Sequence, residues 1–190
     1  MSLSKTLTTW ATRRHQRRVE FWSKQQETMS SSLTSWRTPA RQRLLVTLYF
    51  ASLAAGVLIA IGQLFWSPLL LGWIVFTLFM MIVWTMLRTT INAKDDAPSE
   101  LLDEYEETVI NSWRKISYSL IGKFFTLGLV FLVTFSALTT DTTEILGHSP
   151  MQIVYTVSLI GLIGFLAIVA LPAVGYAMTF TLSDDMEETT

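Results

Sequence analysis

Apolar runs alternate with short polar ones along this chain, and the apolar runs are longer than a soluble core needs. No Asp, Glu, Lys, Arg or His occurs from Leu44 to Leu87, from Phe124 to Thr140, or from Met151 to Ser183. A helix takes ~20 apolar residues to cross the hydrocarbon of a bilayer. The first run is long enough for two crossings and is broken by "QLFWSP", which predicts spans near 44–62 and 69–87 with Ser67-Pro68 restarting the second. Proline suits that place because the N–H it lacks has no helical partner there. A third span is predicted from about Ile116 to Thr139, with Lys123 near its start. The long stem of that lysine reaches back to the headgroups. A fourth is predicted from about Met151 to Phe180, able to bend at Pro172.

Two amphipathic stretches lie outside these spans. In residues 1–43, Leu3, Leu7 and Trp10 share a helical face, and Trp22, Met29, Leu33 and Trp36 continue a similar spacing around "RRHQRR". Arginine on one side and tryptophan on the other suit a helix lying on an anionic leaflet, with Trp10, Arg13, Arg14, Arg17, Arg18 and Trp22 as the lipid-facing set. The acid-free, Ser- and Arg-rich start is similar to a presequence, but it is read as a retained basic arm. In 88–115, Leu102, Tyr105, Val109, Trp113 and Ile116 form a stripe at spacings of three and four. With Ser99 as N-cap, this acidic connector is expected to be one long helix running into the third span. Its carboxylates Asp103, Glu104, Glu106 and Glu107 are read as a solvated or partner-binding face.

Charge then sets the expected orientation. All fourteen lysines and arginines lie before the first span, between the second and third, or at Lys123, and the loops at 63–68 and 140–150 have none. Basic residues near helix ends stay cytoplasmic. The expectation is therefore an all-α protein with four transmembrane helices in a bacterial plasma membrane and both termini in the cytoplasm. Its segments are the arm (1–43), a transmembrane hairpin (44–87), the loop and connector (88–115), a second hairpin (116–182) and an acidic tail (183–190). Composition agrees, since 15% of residues are charged against about 25% in soluble domains.

Chemistry is sparse. There is no cysteine, so disulfides, Cys-ligated zinc, iron–sulfur clusters and thiol nucleophiles are excluded. His15 and His148 belong to opposite sides and cannot pair across a haem. Mid-depth ionisable residues, the usual marks of proton-coupled transport, are missing from the spans. No catalytic residue, metal or cofactor is expected, and no nucleic-acid module is recognised. Small residues carry the remaining signal. Ser52, Gly56 and Ala60 recur every fourth position, while Ser158, Gly161, Gly164, Ala167, Ala170 and Ala173 recur every third. Such rows let membrane helices approach closely, and Ser52, Gly56, Ala60, Gly161, Gly164 and Ala167, with Tyr105 and Trp113 of the connector, are the expected partner-binding set. Packing within the four-helix bundle is the alternative use.

The stretch Ala97–Leu120, "APSELLDEYEETVINSWRKISYSL", resembles small four-span membrane proteins of actinobacteria, in which a proline and an LLDE(R/Y)E run lead a helix into the third span. Pro98, Leu101, Leu102, Asp103, Glu104, Glu106 and Tyr118 carry the resemblance. Some actinobacterial proteins of this size accompany the fused cytochrome bcc–aa3 respiratory supercomplex. The resemblance implies a non-catalytic accessory subunit in electron transport, whose partners are other integral membrane subunits and anionic phospholipid. A small oligomeric transporter or channel, or a membrane-surface adaptor of envelope machinery, are the other functions the pattern admits.

Overall fold

A computed structural model of the chain describes residues 24, 33–98, 101–139, 144, 145 and 147–188. Five α-helices occur among them: α1 (Pro39–Gly62), α2 (Gly72–Thr90), α3 (Glu104–Thr139), α4 (Pro150–Val169) and α5 (Leu171–Glu188). No strand is present among these residues beyond an isolated bridge of Ile145 with His148. Four helices are long and apolar enough to cross a membrane: Pro39–Gly62, Ser67–Thr90, Glu104–Thr139 and Pro150–Val169.

Pro39 opens α1 at its first turn, so the helix begins inside the stretch expected to be arm. Pro68 does the same for the 3-10 turn Ser67–Leu71 that leads into α2. At its far end α2 closes in a Schellman arrangement. The Ala93 amide donates to the Arg88 carbonyl at 2.8 Å and the Asn92 amide to Thr89 at 3.1 Å. Asn92 takes the left-handed conformation (φ 54°) that asparagine tolerates at this position.

The connector and third span form one 36-residue helix, as expected. Its cap differs. Ser99 lies outside the described residues, and the α-helix starts at Glu104 with the Asp103 carboxylate accepting from the Glu106 amide at 2.7 Å. The fourth apolar run is two helices rather than one bent one. α4 starts from a capping box between Ser149 and Gln152 and ends at Val169, and α5 begins after Ala170. Pro172 has no N–H for the carbonyl four residues back, that of Ile168.

α1 is central and touches α2, α4 and α5, while α3 closes the other side against α4 and α5. The seam on α1 is Leu45, Tyr49, Ser52, Leu53, Gly56 and Ala60, spaced by threes and fours. Gly56 is required by closeness, because a Cβ there would lie 2.8 Å from the Phe76 ring of α2 and 3.1 Å from Ile163 of α4. Most of the core gathers where the chain is basic, around Leu45, Tyr49, Leu87, Ile91, Ile110, Ala170, Ala173 and Tyr176. Elsewhere on α2 and α3, Val75, Leu78, Leu127, Val133 and Leu138 are exposed.

Candidate functional site at the basic end of the bundle

The loop after α2 carries Lys94, Asp95 and Asp96 in a single 3-10 turn, and this turn sends its charges in two directions. Lys94 pairs with Glu106 of α3, and the Tyr176 hydroxyl of α5 donates to the same Glu106 oxygen at 2.6 Å. The lysine ammonium also lies 5.7 Å from the Tyr176 ring centre. Glu106 is only 7% exposed, which corrects the reading of this one carboxylate as part of a solvated or partner-binding face, whereas Asp103 and Glu104 of the same run are exposed. The fully buried positions of α3 are Glu106, Ile110 and Ser117, while of the apolar stripe Leu102, Val109 and Trp113 are half-buried and Tyr105 and Ile116 are exposed. Burial alone would raise the Glu106 pKa, but the hydrogen bonds from Lys94 and Tyr176 and the lysine charge hold it below its ordinary value of 4.5.

On the other side of the turn, Arg88 at the end of α2 pairs with Asp95, 3.3 Å away, and with Asp96. Arg114 of α3 donates to the Asp95 backbone carbonyl. Burial pushes the Asp95 carboxyl up from its ordinary value of 3.8, against the opposing pull of Arg88. Its Oδ1 is buried and accepts no hydrogen bond. Arg37 extends the network by donating to the Asn92 side chain at 2.7 Å. Between these groups and the membrane helices lies a cleft of about 250 Å3, lined by Trp84, Arg88, Asp95, Asp96, Arg114, Ser117, Tyr118, Ile121, Val169 and Pro172.

Just beneath, hydroxyls from two helices bind the break between α4 and α5. Ser117 donates to the Ile168 carbonyl at 2.8 Å, and Tyr49 to the Leu166 carbonyl at 2.9 Å. Neither residue was singled out by spacing. The proline four residues beyond Ile168 was the available signal for an acceptor in need of a donor.

The expected partner-binding residues are mostly engaged inside the chain. Ser52 and Ala60 are buried and Gly56 packs between Phe76 and Ile163. Gly161 and Gly164 face Phe124 of α3, where a Cβ on Gly164 would stand 3.1 Å from the ring. Ala167 packs on the core. Trp113 lies over Gly175 of α5 so closely that any Cβ there would overlap the indole. Thus the connector's aromatic face rests on α5 of the same chain. Tyr105 meets Phe180 edge-on, with ring centres 5.6 Å apart, yet stays 62% exposed. The lipid-facing set Trp10, Arg13, Arg14, Arg17, Arg18 and Trp22 falls outside the described residues.

At the opposite end, Trp73 donates to the Gln63 side chain at 3.3 Å and the Phe65 ring meets His148 edge-on. Among the described residues no three His, Asp or Glu side chains gather as a metal-holding group. No protein-family model, curated protein or solved structure matches the chain.

Proposed function

We propose that this is a multi-pass protein of a bacterial plasma membrane, with both termini cytoplasmic, that serves as a non-catalytic accessory subunit of a larger membrane complex. The observation that carries the reading is the bareness of α3 beyond Phe125. Leu127, Leu129, Val130, Leu132, Val133 and Leu138 are exposed and point around most of the helix. Membrane helices associate by van der Waals packing, and a helix that its own bundle leaves uncovered gains that packing from a neighbouring subunit. The charge-paired loop supports the same reading, since Lys94, Asp95, Glu106 and Arg114 tie the connector down as a rigid platform.

The resemblance of Ala97–Leu120 favours the respiratory supercomplex as the assembly, with the basic arm on anionic lipid. The test is affinity purification of the tagged chain from native membranes in mild detergent. Haem-containing partners should accompany it, and recovery as a lone monomer overturns the proposal. Ion or solute flux in proteoliposomes containing only this chain would favour the channel reading instead. Orientation is tested separately. Because the chain has no cysteine, single cysteines placed in 63–68 and in 183–190 should react from opposite sides with a membrane-impermeant thiol reagent.

A further inference from the structure

The two arginines of the cleft at the α4–α5 break are not equivalent. Arg88 pairs with Asp95 and Asp96, so its charge is already answered. Arg114 makes no ion pair. Its Nη2 donates to the Asp95 backbone carbonyl and its Nη1 approaches the Asn111 side-chain oxygen at 3.5 Å, both neutral acceptors. Its Nε donates to no group of the described chain and is not buried. The guanidinium is therefore held in position without being neutralised, and it keeps an accessible donor edge. An apolar wall stands beside it. Trp84 of α2 and Ile121 of α3 line the cleft with Val169 and Pro172. One helical turn further into the spans, Met81 on α2 and Phe125 on α3 are exposed. α2 packs chiefly on α1, and α3 on α4 and α5, so the cleft lies between helices with separate supports. Arg88 is the first charge after the charge-free run Leu44–Leu87, and Tyr118 is 71% exposed. Tryptophan and tyrosine next to such a charge mark the boundary between headgroups and hydrocarbon.

We propose that this cleft seats one phospholipid of the leaflet on the basic side, with its phosphodiester on Arg114 and an acyl chain running past Ile121 toward Met81 and Phe125. Phosphate oxygens take the planar fork of arginine well, and better than they take a lysine point charge. A phosphodiester carries one negative charge, which one guanidinium free of carboxylates balances. Asp95 Oδ1 is enclosed by protein and takes no part. The volume of about 250 Å3 is below the ~300–1,000 Å3 of pockets that enclose a whole drug-sized ligand. It suits a phosphate and glycerol whose acyl chains leave along the apolar wall. The site shares only its membrane setting with the accessory-subunit reading. It is also separate from the basic arm, whose attraction to anionic lipid needs no cleft.

The test is native mass spectrometry of the full chain, delipidated in detergent and titrated with phosphatidylglycerol or with an uncharged galactosyl diacylglycerol of identical acyl chains. One phosphatidylglycerol should be retained about tenfold more tightly than the galactolipid, the factor expected from one charge-assisted hydrogen bond. Arg114→Gln should erase that advantage. Lys115→Gln should keep it, because Lys115 is exposed next to Arg114 but does not line the cleft. Since Arg114 also braces the Asp95 turn, Ile121→Trp is the further variant; it fills the apolar wall without touching an ion pair and should lower retention about as much. Equal retention of the two lipids, an advantage that survives Arg114→Gln, or unchanged retention in Ile121→Trp would each overturn the proposal. An advantage lost equally in Lys115→Gln would show diffuse surface charge instead of a seat and would also overturn it. Displacement of the lipid by an equal concentration of soluble glycerophosphoglycerol would assign the cleft to a soluble phosphodiester and overturn the lipid assignment.

Discussion

Ser117 of α3 donates its hydroxyl to the Ile168 carbonyl at 2.8 Å, and Ile168 lies four residues before Pro172. In an unbroken helix that carbonyl would receive the amide of residue 172, which proline lacks. A serine on one helix thus satisfies the acceptor that a proline frees on another, and the two residues specify how α3 docks on the α4–α5 break. Ser117→Ala should cost about 1 kcal/mol, read as a lowered Tm in detergent. In a Pro172→Ala background the amide is restored and the same substitution should cost less. Strictly additive costs would show that the hydroxyl and the proline are unrelated.

Gly175 and Trp113 form a second coupled pair. The indole occupies the space of a Cβ on Gly175, so Gly175→Ala must displace the ring. Overpacking of this kind costs about 1–3 kcal/mol. Trp113→Ala opens the space, so the double variant should be more stable than the sum of the single effects predicts. The measurement is thermal unfolding of the four proteins of the cycle in one detergent. A single Gly175→Ala variant with unchanged Tm would mean that the indole moves aside freely.

Gly56 probes the central seam of α1 in the same way. A Cβ there meets the Phe76 ring at 2.8 Å and Ile163 at 3.1 Å, so α1 would be pushed from both α2 and α4. Gly56→Val should destabilise the bundle by about 1–3 kcal/mol, whereas Gly128→Val, with nothing within 4 Å, should be neutral in the isolated chain. In native membranes the second variant becomes informative. If α3 carries a neighbouring subunit there, Gly128→Val should reduce co-purification of partners while leaving the Tm of the isolated chain unchanged.

What was legible in the sequence follows from what one helix decides alone. Charge-free runs, the restart at Pro68 and the continuity from connector into third span are local properties, and the structure has them; the start of α1 at Pro39 was not read, because Arg41 and Arg43 follow it and placed it in the arm. The small-residue rows were legible as seams, but not whether their partners lay inside the chain. That depends on Phe76, Ile163 and Phe124 coming from other helices. Glu106 was misjudged because its charge suggests solvent, while its burial depends on Lys94, 12 residues before it, and Tyr176, 70 residues after it. Its spacing to Ile110, Trp113 and Ser117 put it on the buried face all the same. A stripe that counts only apolar residues passes over a carboxylate with its own cation.

The pairing around Glu106 leads to a prediction about acid. Lys94, Tyr176 and the Asp103 amide all donate to this carboxylate, with the last at a longer 3.4 Å. Removing one member of a buried pair strands the other, at about 3–5 kcal/mol. Lys94→Met should therefore be more damaging than Glu106→Gln, and adding Glu106→Gln should partly rescue Lys94→Met. The folded Glu106 pKa lies below its ordinary 4.5, so its stabilisation is present above that value and is lost as pH falls through the folded pKa. Asp95 works in the opposite sense. Its folded pKa is raised above 3.8, so its contribution is present in acid and lost as pH rises through the folded value. The comparison that isolates Glu106 is the Tm difference between the native chain and Glu106→Gln, because Asp95 is common to both. That difference should be largest near neutrality and should shrink as the pH falls below 4.5. A difference that stays constant across this range would mean that Glu106 does not contribute as an ionised partner of Lys94.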